Sequence, residues 1–202
     1  MLFRSERPTV GERIERGEEI GYVIIVVGVL GVLAFVYQLL SLLFVRLGVS
    51  KQLKNLDNPT KNNPLGRVLL AFKGDPSRSD EDAEVAELRI TEAVLREVPK
   101  LERFQAFLRL AVAAGPLLGL IGTVVGMIVT FQSITESGSS DPKLMAGGIG
   151  RAMIATVLGL GIAIPLLFAN ALLNSLSRGI VQILDEQSAG MLAESIEKKR
   201  HA

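Results

Sequence analysis

Three stretches of the chain carry no charged side chain: Ile20 to Val45, Leu110 to Thr135 and Ala152 to Ser177, each 26 residues long. An apolar run of about 18 or more residues is long enough to cross a bilayer core as a helix. At about 1.5 Å per residue each run is about 39 Å long, more than the core needs, so the excess tilts or protrudes. The pattern predicts an all-α integral membrane protein with three transmembrane helices, spans two and three extended into the cytoplasm as long helices. The predicted segments are an amphipathic stretch over 1–19, a helix over 20–45, a helical polar segment over 46–109, a helix over 110–135, a short linker over 136–151, a helix over 152–177 and a C-terminal helix over 178–202.

The polar segments have their own periodicity. Thr9 to Glu12 fits a capping box, so a short surface helix is expected there. A cleavable signal peptide fits poorly, because the run from Ile20 is much longer than a signal core and ends at Arg46. Within 46–109, Asn58-Pro59, Asn63-Pro64 and Asp75-Pro76 read as turns. Ser79 with Asp82 can cap a helix on which Val94, Val98, Leu101, Phe104 and Leu108 share a face. Pro99 lies inside it as a potential kink. No break is evident before span two, so one continuous rod is expected. After span three, Ile180, Ile183, Leu184 and Met191 continue a helical face.

The spans differ in bulk. Span two places Gly115, Gly119, Gly122 and Gly126 in two G-x-x-x-G pairs, and span three repeats Ala155, Gly159 and Ala163 four apart. Small residues at that spacing let helix backbones approach within lipid. Spans two and three are therefore expected inside an assembly. Span one reads as bulky throughout and is expected to face lipid. Pro116 and Pro165 are the expected kinks.

Composition removes most chemistry. The chain has no Cys, which excludes disulfides, a thiolate nucleophile and Cys-ligated metals. The one His is His201, so no imidazole site is expected. The 22 basic and 21 acidic residues leave a net charge of +1, without the surplus that nucleic acid requires. No P-loop, nucleophile elbow or dinucleotide fingerprint is present. Neither an enzyme nor a cofactor is expected.

Basic residues concentrate in 46–109 and in the tail, while Glu136–Arg151 carries few. By the positive-inside rule the first two are cytoplasmic and the linker is outside. The N-terminal segment, with Arg4, Arg7, Arg13 and Arg16, then lies outside against the rule.

Against so little polarity the hydroxyls of Thr123 and Thr156 stand out. Each can simply bond a carbonyl one turn back. They reach a common depth if the third helix starts near Leu144. Arg151 then lies at the outer edge of the bilayer, about 140° around the helix from Thr156, pointing to an interface or snorkelling to headgroups. No titratable group lies inside the three windows. If protons move here, a partner must bring the carboxylate.

The stretches Gly115-Pro116-Leu117-Leu118-Gly119-Leu120-Ile121-Gly122-Thr123-Val124-Val125-Gly126-Met127 and Ile154-Ala155-Thr156-Val157-Leu158-Gly159-Leu160, followed by Ala163-Ile164-Pro165, resemble the MotA/TolQ/ExbB family of ion-driven motor subunits. The resemblance runs from about Leu101 to Leu173. Three spans resemble its ExbB and TolQ branches rather than the four-span flagellar stators, and residues 141–149 lean toward ExbB. The resemblance implies a pentamer in the bacterial inner membrane, around a single-span ExbD- or TolR-like partner with an intramembrane Asp. It implies that Thr123 and Thr156 line the pore facing that Asp, and that the complex energises a TonB- or TolA-like transducer. Many members carry Glu where Arg151 stands, at the outer mouth. A passive membrane scaffold and a self-sufficient channel or transporter are the rival readings.

Overall fold

The computed structural model describes residues 18–56, 58–73, 83–138 and 142–201. The capping box at Thr9–Glu12, the turn at Asp75-Pro76 and the cap at Ser79 and Asp82 lie outside them. The described residues form five helices and no strand: α1 (Glu18–Leu53), α2 (Pro64–Lys73), α3 (Ala83–Leu101), α4 (Gln105–Ser137) and α5 (Pro142–His201). Among the described residues, three stretches are long and apolar enough to cross a membrane, Ile20–Leu53, Gln105–Glu136 and Met145–Glu194. The protein is an all-α, multi-pass membrane protein.

The chain divides into two compact units. The first comprises the described parts of Met1–Phe35 and Ala106–Asn170. Its interior is made of small and branched side chains: Ile24, Ala111, Ala152, Ala155, Ala163 and Leu166 are buried. Its surface is apolar, with Leu117, Val157 and Phe168 each more than 60% exposed. A soluble fold would bury such residues, and here lipid or other chains cover them. Helix α4 ends at Gly138, which adopts φ 61° and gives its N–H to the carbonyl of Ile134 at 3.2 Å. That left-handed cap is a glycine conformation. Helix α5 starts at Pro142, ahead of the charge-free window, with proline in the first turn where its missing N–H costs nothing.

Span one departs from expectation in this unit. It is not bulky throughout: Gly28 and Gly31 are buried, and a Cβ at either would come within 2.6 Å of Ile162 or Leu166 of α5. Helix α1 thus packs one glycine-lined face on α5, while Val26, Val29 and Leu33 stay exposed.

The second unit comprises Val36–Gln105 and the described part of Ala171–Ala202. Asn63-Pro64 is a helix start rather than a free turn. The Asn63 side chain accepts the Gly66 N–H at 2.6 Å, and Pro64 is the first helical residue of α2. The preceding loop is organised by buried Gln52, whose Oε1 accepts from the Thr60 N–H, the Thr60 hydroxyl and Asn63 Nδ2, and whose Nε2 donates to the Asn55 carbonyl at 2.6 Å. Gly66 lies so close to the Thr60 backbone that no side chain fits there. Helices α2 and α3 are joined by a two-pronged ion pair, Arg67 Nε and Nη2 to the Glu97 carboxylate at 2.9 and 2.5 Å, with Lys100 adding a third donor at 2.9 Å. Burial alone would raise the Glu97 carboxyl. The hydrogen bonds and charges of Arg67 and Lys100 outweigh it and hold the group below its ordinary value.

The expected rod from 79 into span two is interrupted. Helix α3 ends at Leu101, shortly after Pro99, and α4 restarts at Gln105. The Gln105 N–H goes to the Glu102 carbonyl at 3.0 Å instead of back to Leu101. The freed Leu101 carbonyl takes the Gln38 side-chain amide of α1 at 2.6 Å, and Tyr37 meets Phe104 edge to face at 5.4 Å.

Candidate functional site

Within the first unit, α4 and α5 meet at backbone contact. Gly115, Gly119, Gly122 and Gly126 recur on one face of α4 and oppose Ala152, Ala155, Thr156, Gly159 and Ala163 of α5. A Cβ at Gly115 would stand 2.8 Å from the Gly159 carbonyl oxygen and 3.1 Å from the Ala163 methyl; one at Gly119, 2.9 Å from Thr156 Cα; one at Gly126, 2.7 Å from the Ala152 methyl. A Cβ at Gly122 would run into the Ala155 methyl, and one at Gly159 into the Gly115 carbonyl. Bare backbone at these positions permits the approach, as small-residue motifs do within lipid.

The two threonines sit on this seam. Thr156 Oγ1 donates across the helix pair to the Gly119 carbonyl at 3.2 Å. Thr123 Oγ1 donates within α4 to the Leu120 carbonyl at 2.7 Å. Two hydroxyls from two helices therefore use consecutive carbonyls of one helix. Both threonines are half-buried, amid exposed apolar Leu120, Val124 and Val157.

This arrangement has a definite chemistry. Each hydroxyl has committed its proton to a carbonyl and keeps lone pairs as acceptors. A protonated carboxyl can donate to it directly. An ionised carboxylate is bonded only if the hydroxyl turns away and frees its carbonyl. The site thus distinguishes the two states of an acid. It supplies none: Leu110 to Thr135 and Ala152 to Ser177 contain no charged residue.

Helices α4 and α5 continue through Pro116 and Pro165, the first half-buried and the second exposed. Arg151 lies in α5 directly before buried Ala152, and its side chain lies outside the described residues. Thr130 donates to the Gly126 carbonyl at 2.8 Å and presses against Gly148 of α5, extending the seam. Gly28, Gly31 and Gly148 lie outside the small-residue repeats of spans two and three; in sequence the first two are marked only by bulky neighbours, and the third sits in Gly147-Gly148-Ile149-Gly150.

The profile of the MotA/TolQ/ExbB proton channel family matches residues 51–186. The chain belongs to this family. The match takes in all of α4 and the part of α5 that carries Thr156. Among curated relatives, the ExbB-like 3 biopolymer transport protein of Synechocystis sp. is 37% identical over 86 residues, 41% of each chain. The biopolymer transport protein ExbB of Xanthomonas campestris pv. campestris (strain B100) is 31% identical over 112 residues, 55% of this chain and 44% of that protein. The Tol-Pal system protein TolQ of Haemophilus influenzae is 31% identical over 113 residues, 54% of this chain and 50% of that protein. The chain thus spans about half the length or less of these MotA/TolQ/ExbB relatives.

Proposed function

We propose that this chain is an ExbB-like subunit of a proton-motive-force-driven motor in a bacterial inner membrane. It forms a ring, a pentamer in the resembled family, around a single-span ExbD-like partner. The observation that carries the reading is the pair of threonine hydroxyls on consecutive carbonyls, in a helix pair that has acceptors for an acid and no acid of its own. The partner's intramembrane Asp supplies the carboxyl. Protonated, it donates to the acceptor lone pairs at Thr123 or Thr156, or leaves them and turns within the apolar surface. Ionised, it draws a hydroxyl proton away from a backbone carbonyl and is held. One charge crossing the membrane yields about 2.3 kcal/mol per 100 mV. Alternation between the two states converts that energy into movement of partner against ring, which energises a TonB-like transducer for outer-membrane transport.

Orientation follows the distribution of Lys and Arg, with residues 46–109 and 178–202 cytoplasmic and residues 136–151 periplasmic. The likeness to TolQ favours a second reading, in which the same motor serves a Tol-type envelope system. A growth assay separates the two: loss of the chain abolishes energised uptake in the first case and envelope integrity in the second.

The direct test is Thr156→Ala in cells that depend on the system. The expected result is loss of energised uptake with the complex still assembled on native gels. Normal uptake by that variant contradicts the proposal.

A further inference from the structure

The second unit carries a groove that the motor reading leaves unused. Its volume is about 220 Å³, and it lies between α3 and α5. Ile90 and Val94 form its apolar wall, and exposed Glu87 and Asp185 stand at its rim. Ser188 also lines it. This side chain is 5% exposed and its Oγ has no hydrogen-bond partner. Helix α3 also has an apolar face turned away from its core: Leu88 and Leu95 are each more than 60% exposed, although Ile90, Val94 and Leu101 of the same helix are buried.

A complementary surface exists at the same level of the same unit. The end of α1 exposes Leu47 together with Arg46, Lys51 and Lys54. Two bonds set the levels: Gln38 to the Leu101 carbonyl, and Gln105 to the Leu173 carbonyl at 3.4 Å. Lys51, Glu87 and Asp185 each lie about 20 Å along their helices from those bonds, at about 1.5 Å per residue. Val49 is fully buried, so α1 is still packed on the unit at that level. Copies inserted side by side in one bilayer with one orientation can touch only at matching levels. The basic end of α1 in one copy and the acidic groove of the next stand at such matching levels.

We infer that the α3–α5 groove is the docking site for the end of α1 of a second copy, with Lys51 entering between Glu87 and Asp185 and Leu47 covering the outer face of α3. The two surfaces are different parts of one chain. The contact is therefore heterologous and repeats from copy to copy until a ring closes. The inference rests on the association of copies in the proposed function, and on neither the partner nor the proton.

The chain has no Cys, so introduced ones are unique. Full-length chains carrying Lys51→Cys and Glu87→Cys, with different tags, are co-expressed and treated in membranes with a short bis-maleimide. A mixed dimer is expected, and a chain carrying both substitutions gives a ladder of multiples. Native mass spectrometry of the unlinked protein accompanies this. Oligomers without the mixed link overturn the docking site and leave the ring intact; monomers alone overturn both. In a second measurement Lys51→Glu loses most of the oligomer, and Glu87→Lys with Asp185→Lys in the same chain restores it. Absence of rescue overturns the pairing, as does retention of Lys51 by anionic headgroups, which yields no mixed dimer in any lipid.

Discussion

Thr156 and Gly119 are bound in two ways. The threonine hydroxyl donates to the glycine carbonyl at 3.2 Å, and a Cβ on the glycine would stand 2.9 Å from the threonine Cα. The hydroxyl that is read as functional and the packing that seats it are thus one contact. Gly119→Val is expected to part α4 from α5, at a cost of about 1–3 kcal/mol for overpacking, and to abolish uptake. Gly28→Ala is expected to cost less, because its Cβ meets side-chain atoms of Ile162, Cδ1 at 2.6 Å and Cγ2 at 2.9 Å, and no backbone. Thermal unfolding in detergent of both variants, alongside uptake, checks the order.

Thr123 bonds only within its own helix, to Leu120. Thr123→Val keeps the shape and removes the hydroxyl. Stability is expected to change by less than about 0.5 kcal/mol, while energised uptake is lost and Thr123→Ser retains it. A stability loss that accounts for the uptake loss would return Thr123 to a packing role.

Gln38 is fully buried and donates to the Leu101 carbonyl where α3 breaks. Gln38→Leu leaves that carbonyl without its donor, at an expected cost of about 1–3 kcal/mol. Hydrogen exchange should rise at the amides of residues 100–105 before it rises elsewhere.

Glu97 is held below its ordinary carboxylate range by Arg67 and Lys100, against the opposing effect of burial. A depressed group contributes stability above its unfolded value and loses it as pH falls through the folded value. The second unit is therefore expected to weaken on acidification below the normal carboxylate range. Glu97→Gln should be less stable at neutral pH, by about 2 kcal/mol for hydrogen bonds to a charged group, and less sensitive to acid. Melting curves at several pH values distinguish the two.

The membrane helices and the glycine seam were legible because lipid imposes a simple rule: charge is absent over a span, and close approach requires small residues at fixed intervals. Gly115, Gly119, Gly122, Gly126, Gly159 and Ala163 obey it visibly. The break at 102–104 was not legible, because the donor that stabilises it is Gln38, 63 residues away. The glycine face of α1 was hidden for a related reason: Gly28 and Gly31 do not repeat, and only the position of Ile162 and Leu166 gives them meaning. Asn63-Pro64 reads equally as a turn or as a helix start until Gly66 is seen bonded to the asparagine.

The proposed motor needs an acid at membrane depth, which Ile20–Val45, Leu110–Thr135 and Ala152–Ser177 lack and a partner must lend. Proton flux into liposomes with a membrane potential imposed measures this directly, with the chain reconstituted alone and then with a single-span partner bearing an intramembrane Asp. No flux from the chain alone, and flux with the partner that disappears on replacing its Asp by Asn, is the predicted result. Proton movement through the chain by itself would contradict it.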